Sequence, residues 1–147
     1  MTTIRQATLN DLDQLVALEN QCFAADKMSR QNFRDLLTKQ SAIITLATKD
    51  NNLIGSAVVL FRKNSHQARM YSLAVSPVFR KRGTAHQLCI HIEKSALARG
   101  CDTMILEVRV NNLPAIHFYQ KNGYEKFAIY SKFYEDGTDA LRMKKLL

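Results

Sequence analysis

Hydrophobic residues in the first part of the chain follow a helical spacing twice. After a predicted short strand from Thr3 to Gln6, an apolar stripe recurs at intervals of three and four residues: Leu12, Leu15, Val16 and Leu18. Asn10 is the predicted N-cap of this helix, and a second helix is predicted to begin after Ser29. The polar, mixed segment from Ala24 to Met28 between them is predicted to be a loop that borders a substrate.

The pattern then changes to that of strands. Ser41 to Thr48 and Leu53 to Lys63 are rich in apolar and β-branched residues, and the turn residues Asp50-Asn51-Asn52 separate them. These two runs are therefore predicted to form an antiparallel hairpin. Gln67 to Val75 is the next predicted strand, again antiparallel, and Ser76-Pro77 ends it.

Strands and helices alternate in the second half. The predicted elements are two helices and three strands: helix Thr84 to Arg99, strand Thr103 to Val108, a helix between Asn112 and Gly123, and strands Tyr124 to Tyr130 and Thr138 to Lys144. Gly100 is placed to end the first of these helices in left-handed geometry. Strand, helix and strand joined by short connections predict a right-handed crossover between parallel neighbours. The sheet is thus expected to be mixed, antiparallel at first and parallel at its centre.

Length and composition favour one domain over residues 1–147, because 147 residues with 46% hydrophobic content suffice for one continuous core. The longest undisturbed apolar run, Ala57 to Phe61, is far shorter than the roughly 18 residues of a membrane span and is typical of a buried strand. No apolar signal region follows the N-terminus, so a cytoplasmic location and no membrane partner are expected.

Cysteine and histidine spacing favours neither a disulfide framework nor a metal site. The three cysteines, Cys22, Cys89 and Cys101, are odd in number and form no CxxC pair, so buried free thiols are expected. The four histidines form no HExxH motif. We therefore predict that the chain binds no metal.

The net charge of +8 suits an anionic cofactor, an acidic partner or nucleic acid, and charge alone does not choose among them. Its densest cluster opens the segment from Arg80 to Ala85, which lies between a strand end and a helix start. Backbone N–H groups there have no helical partner, and the helix dipole presents positive potential. Gly83 permits a positive φ and Ala85 is small, so a pyrophosphate is expected to approach the backbone. The alternative is a solvated basic turn.

The spacing in this segment is neither GxxxxGK nor GxGxxG, which argues against ATP and NAD. It resembles the acetyl-CoA motif of the GNAT family of N-acetyltransferases, Q/R-x-x-G-x-G/A, which this chain carries as Arg80-x-x-Gly83-x-Ala85. Two further runs, Leu106 to Asn112 and Ala115 to Tyr124, resemble the second half of the family's core. The resemblance implies an α/β (α+β) fold with a mixed, mostly antiparallel central sheet, a parallel strand pair at its centre and helices on both faces.

The closing pattern from Phe133 to Ala140 is similar to that of the ribosomal-protein alanine N-acetyltransferase branch, whose members acetylate protein N-termini. The chain departs from that branch at two positions. Pro114 replaces a small residue, which the first turn of a helix tolerates, and Tyr124 replaces a common Phe.

The resemblance implies catalytic roles for two residues. Glu107, a charged residue on a strand near the centre of the sheet, would be the general base, acting through water; the alternative is an ion pair with Arg109 or Lys126. Tyr119 would be the general acid that protonates the coenzyme A sulfur, since a phenol and a thiol have similar pKa values; the alternative is a tyrosine packed in the core. His117 is expected to point elsewhere on the helix.

Binding residues follow from the same resemblance. The expected cofactor contacts are the backbone of one strand end, a helix cap and the basic segment: Leu73, Ala74, Val75, Asn112, Arg80, Lys81, Arg82, Gly83, Thr84 and Ala85. Tyr134 and Glu135 are the expected acceptor contacts, with an exposed hairpin loop as the alternative.

The function expected from the residues and the resemblance is transfer of acetyl from acetyl-CoA to a protein or peptide N-terminal amine. A small amine, a polyamine or a lysine is the alternative acceptor. A coenzyme A sensor without catalysis is a third possibility, and a basic protein that binds RNA is a fourth. Nucleic acid is expected only indirectly, through a ribosomal partner, and the chain is expected to be a monomer or a homodimer.

Overall fold

A computed structural model of the protein describes all residues from 1 to 147. The four α-helices are α1 Leu12–Cys22, α2 Arg30–Thr38, α3 Thr84–Ala98 and α4 Leu113–Lys121. The seven strands are β1 Thr3–Gln6, β2 Ala42–Lys49, β3 Asn52–Phe61, β4 Gln67–Val75, β5 Thr103–Arg109, β6 Glu125–Tyr130 and β7 Ala140–Leu146. None of the helices combines the length and the apolar character that crossing a lipid bilayer requires.

All seven strands form one sheet in the order β1-β2-β3-β4-β5-β7-β6. β4 and β5 pair in parallel and every other neighbouring pair is antiparallel. The helix α3 connects the two parallel strands, as the strand-helix-strand pattern predicts. The mixed sheet with a central parallel pair is therefore confirmed.

The two parallel strands separate partway along their length. Their pairing runs from Gln67 with Thr103 to Met70 with Leu106 and then stops, although β4 continues to Val75. At this point β4 also bulges, because Val58 and Val59 of β3 face Ser72 and Met70, which leaves Tyr71 as the extra residue. One edge of the second half of β4 is consequently free of a neighbouring strand.

Helices cover both faces of the sheet because its strands bury apolar residues on both sides. The larger core lies beneath α3 and α4 and includes Leu88, Ile92, Met104 and Leu106. A smaller core lies beneath α1 and α2 and includes Leu15 and other apolar residues: Phe33, Ile44, Leu46 and Val58. The predicted arrangement of helices on both faces is confirmed.

Most boundaries differ from the predictions by one or two residues, as in β3, which ends at Phe61 rather than Lys63, and two of the differences have a local cause. Asn10 caps no helix, because a 3-10 turn over Leu9–Asp11 precedes α1 and begins after Thr8, whose N–H donates to the Asp11 carboxylate at 2.8 Å. The last strand begins at Ala140 rather than Thr138. The backbone before it is held in a turn, in which the Thr138 N–H donates to Asp136 Oδ1 at 3.0 Å. The predicted cap at Asn112 is confirmed, and α2 begins after Ser29 as predicted.

Candidate active site

The segment from Arg80 to Ala85, which we call the phosphate loop, has the backbone geometry of an anion site. Gly83 has φ 82° and is the N-cap of α3, and no side chain caps that helix. The first N–H groups of α3 are therefore without an acceptor from a capping side chain, and they carry the positive end of the helix dipole. Lys81 also has a positive φ of 63°. The loop suits a phosphate or pyrophosphate group.

The basic side chains of the phosphate loop have different partners. Arg80 turns back towards the strand it follows, and its Nε donates to the Val75 carbonyl at 3.1 Å. The guanidinium of Arg82 lies 5.5 Å from the centre of the Phe79 ring. All three basic residues are exposed, so the loop keeps its positive charge in solvent. Thr84 is buried, which leaves its backbone as the part that faces an anion.

The free edge of β4 presents the backbone of alternate residues. The Ser76 N–H donates to the Ile54 carbonyl of β3 at 2.8 Å, and neighbouring residues of a strand direct their N–H and C=O groups to opposite sides. The polar groups of Val75 and Leu73 therefore face away from β3, whereas those of Ala74 face β3. The Val75 carbonyl already accepts hydrogen bonds from Arg80 and from the thiol of Cys22.

A cleft of about 1140 Å³ lies where β4 and β5 separate. Six segments contribute its walls: α1, the α1–α2 loop, β4, β5, α4 with its N-cap, and the β6–β7 loop. Six residues with a predicted site role line this central cleft: Leu73, Glu107, Asn112, Tyr119, Tyr134 and Glu135. The predicted loop from Ala24 to Met28 borders it as well. The phosphate loop lies outside its walls, beyond the end of β4.

Glu107 is buried in the floor of the central cleft between two arginines. Arg69 of β4 donates from Nε to Glu107 Oε1 at 2.7 Å, and Arg142 of β7 donates from Nε to Oε2 at 3.4 Å. The alternative expected from the sequence was an ion pair of Glu107 with Arg109 or Lys126. Glu107 does form ion pairs, but with Arg69 and Arg142. Neither arginine was found by sequence reasoning, because the strand register that brings them together is not visible in the spacing.

Tyr119 lies on α4 with its ring partly exposed to the central cleft. Burial raises the pKa of its phenol well above the usual range, and the nearby Cys89 and Tyr134 raise it further. The hydroxyl makes no hydrogen bond within the chain, so it is free to donate to a bound group. Tyr119 thus combines the partial packing of a core residue with a hydroxyl that stays protonated.

A buried tyrosine that hydrogen-bonds to a glutamate packs against Tyr119. The ring of Tyr124 packs edge-on against Tyr119 with centres 5.8 Å apart, and its hydroxyl donates to Glu93 Oε2 at 2.9 Å. Lys145 also contacts Glu93, at 2.9 Å. The tyrosine that departs from the common Phe therefore has a structural partner. Sequence reasoning missed it, because Glu93 follows the helical pattern of α3 as an ordinary charged residue.

Arg109 bridges the two loops that flank the central cleft. Its guanidinium contacts Asp26 of the α1–α2 loop at 2.5 Å and Asp136 of the β6–β7 loop at 2.8 Å, and it lies 4.2 Å from the centre of the Tyr134 ring. Hydrogen bonds to Thr138 and to Arg109 lower the pKa of Asp136 to about 2. Asp136 therefore stays ionised and can hold the arginine at neutral pH.

A hydrogen bond to a buried residue of α1 also holds the α1–α2 loop. Glu19 is buried at the cleft wall, and its Oε2 accepts the Met28 N–H at 2.8 Å. Burial raises the pKa of this carboxyl, and the Met28 N–H and Lys27 oppose that rise. Cys22 lies one helical turn further on and is only half-buried, which corrects the expectation that all three thiols are buried.

Two other predicted features lie at the edges of the site. Asn112 Oδ1 accepts the Ala115 N–H at 3.3 Å and so caps α4, which leaves its side-chain amide N–H groups free. His117 is exposed on α4 and does not line the central cleft. No group of three or more His, Cys, Asp and Glu side chains converges in a way that suits a metal ion.

Comparison with known proteins places this geometry among acetyltransferases. Residues 9–124 match the family described as the acetyltransferase (GNAT) family. An N-alpha-acetyltransferase of Saccharolobus solfataricus is 27% identical over 156 residues, which covers 99% of this chain and 93% of that relative.

Solved structures show the same fold. The ribosomal-protein-S18-alanine N-acetyltransferase of Escherichia coli superposes with a TM-score of 0.89 at 25% identity, covering 99% of this chain and 94% of that one. The PaiA N-acetyltransferase of Thermoplasma acidophilum, solved in complex with coenzyme A, has a TM-score of 0.84 at 17% identity, covering 100% and 99%. The fold expected from the sequence resemblance is confirmed.

Proposed function

Because the chain belongs to the GNAT acetyltransferase family, we propose that it transfers the acetyl group of acetyl-coenzyme A to the N-terminal α-amine of a protein or peptide. One observation carries the proposal: Glu107 and Tyr119 line a single cleft whose β4 wall leads directly to the phosphate loop. The N-alpha-acetyltransferase of Saccharolobus solfataricus supports the choice of acceptor. Residues 1–147 act together as one domain in this proposal.

The phosphate loop holds the pyrophosphate of acetyl-CoA through the N–H groups that follow Gly83. The pantetheine arm lies along the free edge of β4, where its amides pair with the backbone of Leu73 and Val75 in the manner of an added strand. The free side-chain amide of Asn112 contributes on the opposite side. This placement directs the thioester into the central cleft.

Acetyl transfer breaks the C–S bond of the thioester and forms a C–N bond, so one proton must leave nitrogen and one must reach sulfur. Glu107 takes the proton from nitrogen through a water molecule. Tyr119 gives its phenolic proton to the departing thiolate and regains one from solvent. Burial raises the pKa of this phenol above that of a thiol, so it keeps its proton at neutral pH but is a weaker acid than a free tyrosine, and proton transfer to sulfur must accompany cleavage of the C–S bond.

The acceptor follows from the amine chemistry and from the loops. A free N-terminus has a pKa of about 8 and a lysine of about 10.4, so neutralising lysine at pH 7 costs about 3 kcal/mol more. The α1–α2 and β6–β7 loops border the cleft on two sides, where an extended peptide meets Tyr134 and Glu135. A protein terminus fits both conditions.

The test measures coenzyme A release with four acceptors: one peptide with a blocked lysine, the same peptide with a blocked N-terminus, the same peptide with both blocked, and spermidine. Release is expected only with the free N-terminus. Release only with the free lysine, or only with spermidine, would contradict the N-terminal α-amine as the acceptor. Thermal stabilisation by acetyl-CoA without release on any acceptor would instead favour a coenzyme A sensor.

A further inference from the structure

The two arginines at Glu107 lie there because of the strand register. Arg142 is directly across from Glu107 in the antiparallel pairing of β7 with β5. Arg69 pairs with Ile105 in the parallel register of β4 and β5, and Ile105 is two residues before Glu107, on the same face of the strand. Each strand next to β5 therefore supplies one guanidinium to the same carboxylate.

This arrangement occupies both oxygens of the carboxylate. Arg69 contacts Oε1 through Nε at 2.7 Å and through Nη2 at 2.5 Å, and Arg142 contacts Oε2. The side chain of Glu107 is 5% exposed, whereas that of Arg69 is 36% exposed on the cleft wall. A carboxylate buried this deeply keeps its charge only with cations and hydrogen bonds around it.

The arginines are themselves held in place by aromatic rings. Arg142 lies 4.9 Å from the centre of the Phe127 ring and 4.4 Å from that of Tyr130. Arg69 lies 5.4 Å from the centre of the Tyr71 ring, at the residue where β4 bulges. Stacked guanidinium groups lose little further freedom when they bind a carboxylate, so they fix its orientation.

The other charged and titratable groups that face this site are engaged elsewhere. Arg109, two residues along β5, pairs with Asp26 and Asp136 from the two flanking loops. Burial raises the pKa of the Tyr134 phenol, and the nearby Glu107 charge adds to that rise. Arg69 and Arg142 are thus the only cations in contact with the Glu107 carboxylate.

We propose that Arg69 and Arg142 are positioning residues that bind both oxygens of the Glu107 carboxylate and hold it in one orientation for deprotonation of the acceptor amine, an inference that rests on the proposed function. With both oxygens held, Glu107 receives the amine proton through water and releases it again without changing its rotamer. Arg69 has the larger effect of the two, because its contacts with the carboxylate are shorter.

The experiment follows the carboxyl carbons of ¹³C-labelled glutamate by NMR across a pH titration of the full chain, with Glu107→Gln to assign the Glu107 signal. In Arg69→Gln the Glu107 midpoint is expected to move to higher pH by about one pH unit or more, and by less in Arg142→Gln. Arg69→Lys, which keeps the charge, is expected to restore most of the difference. Arg30→Gln is the matched control, because Arg30 pairs with Asp13 at the surface, outside the cleft.

A second readout separates positioning from mere structure. The acidic limb of the pH profile of kcat is expected to move in the same direction and order as the NMR midpoints. An unmoved midpoint in both Gln variants would overturn the proposal, as would a moved midpoint with an unmoved acidic limb. A moved midpoint in a protein that acetylates no amine would leave the arginine contacts standing and overturn the proposed function instead.

Discussion

The phosphate loop and the central cleft differ in which part of the chain does the binding. The loop presents backbone N–H groups at a helix start, and its geometry depends on one glycine with a positive φ. The cleft presents side chains from six segments, connected by ion pairs between residues as far apart in sequence as Asp26 and Arg109. A local motif therefore specifies the first region, whereas only the folded sheet specifies the second.

We therefore expect the two regions to have separate roles, the phosphate loop in cofactor binding and the central cleft in acceptor binding and chemistry. Backbone groups recognise a pyrophosphate whatever the acceptor is, so the loop suits any reaction that uses the same cofactor. The ion pairs of Arg109 and Glu107 instead set the shape and charge of the central cleft, which we propose binds the acceptor. Substitutions in the two regions are expected to separate cofactor binding from acceptor binding and chemistry.

The largest expected effect is that of Glu107→Gln, which keeps the shape but removes the proton acceptor. The kcat is expected to fall about 10²- to 10⁴-fold while the acetyl-CoA affinity stays the same, measured by steady-state kinetics and calorimetry. Glu125→Gln, at an exposed position on β6, is the control. A similar loss in that control, or a loss of cofactor affinity in Glu107→Gln, would erase the distinction between the two regions.

Tyr119→Phe is expected to lower kcat about 10²-fold, because the thiolate then leaves without a proton donor. Single-turnover rates with saturating acetyl-CoA check this step. Tyr130→Phe, which removes a hydroxyl outside the cleft, serves as the control. Full activity in Tyr119→Phe would assign Tyr119 to core packing alone.

Arg109→Gln is expected to raise the KM for a peptide acceptor about tenfold, with the KM for acetyl-CoA unchanged. The substitution breaks the two charged hydrogen bonds by which Arg109 joins the flanking loops. Initial rates over a range of both substrates separate the two constants. A change confined to acetyl-CoA would show that the bridge serves the cofactor side.

Gly83→Ala is expected to weaken acetyl-CoA binding roughly fivefold, because the left-handed conformation costs a residue with a Cβ about 1 kcal/mol. A Cβ at Gly83 meets no atom within 4 Å, so the effect comes from the backbone alone. Gly100→Ala is the matched control, with φ 86° and equally open space at the far end of α3. Equal losses of cofactor affinity in both variants would contradict an anion site at the loop.

The smallest expected effect is that of alkaline pH. The kcat/KM is expected to rise as the acceptor amine loses its proton and then to stay level up to about pH 10. The raised pKa of Tyr119 keeps its proton in place beyond the ordinary tyrosine value of 10.0, so the proton donor is not lost in this range. A fall in kcat between pH 8 and pH 10 that disappears in Tyr119→Phe would contradict this assignment.

Sequence patterns predicted the fold better than the side-chain partners of the site. The strand and helix periods, the Asn112 cap and the glycine before α3 are local signals, and the structure confirms the elements they predict. The motif also predicts the phosphate loop, whose binding of the cofactor stays a prediction. The predicted cap at Asn10 is wrong, because Thr8 and Asp11 form a capping box around a 3-10 turn that precedes α1.

The partners of Glu107 and Arg109 had no such local signal. Arg69 and Arg142 reach Glu107 only through the registers of two different strand pairs, and Asp26 reaches Arg109 across a separation of 83 residues. Likewise, Tyr124 was recognised as unusual, but its partner Glu93 depends on how α3 packs against β7. Long-range register therefore limits what spacing alone predicts.

The most direct measurement uses one peptide that carries both a free α-amine and a free lysine, incubated with the enzyme and acetyl-CoA. Tandem mass spectrometry then locates the added acetyl group on the fragments. The proposed function predicts an acetyl group on the N-terminal nitrogen and none on the lysine. Glu107→Gln is expected to abolish this acetylation. Acetylation of the lysine alone, or equal acetylation of both amines, would contradict the proposed function.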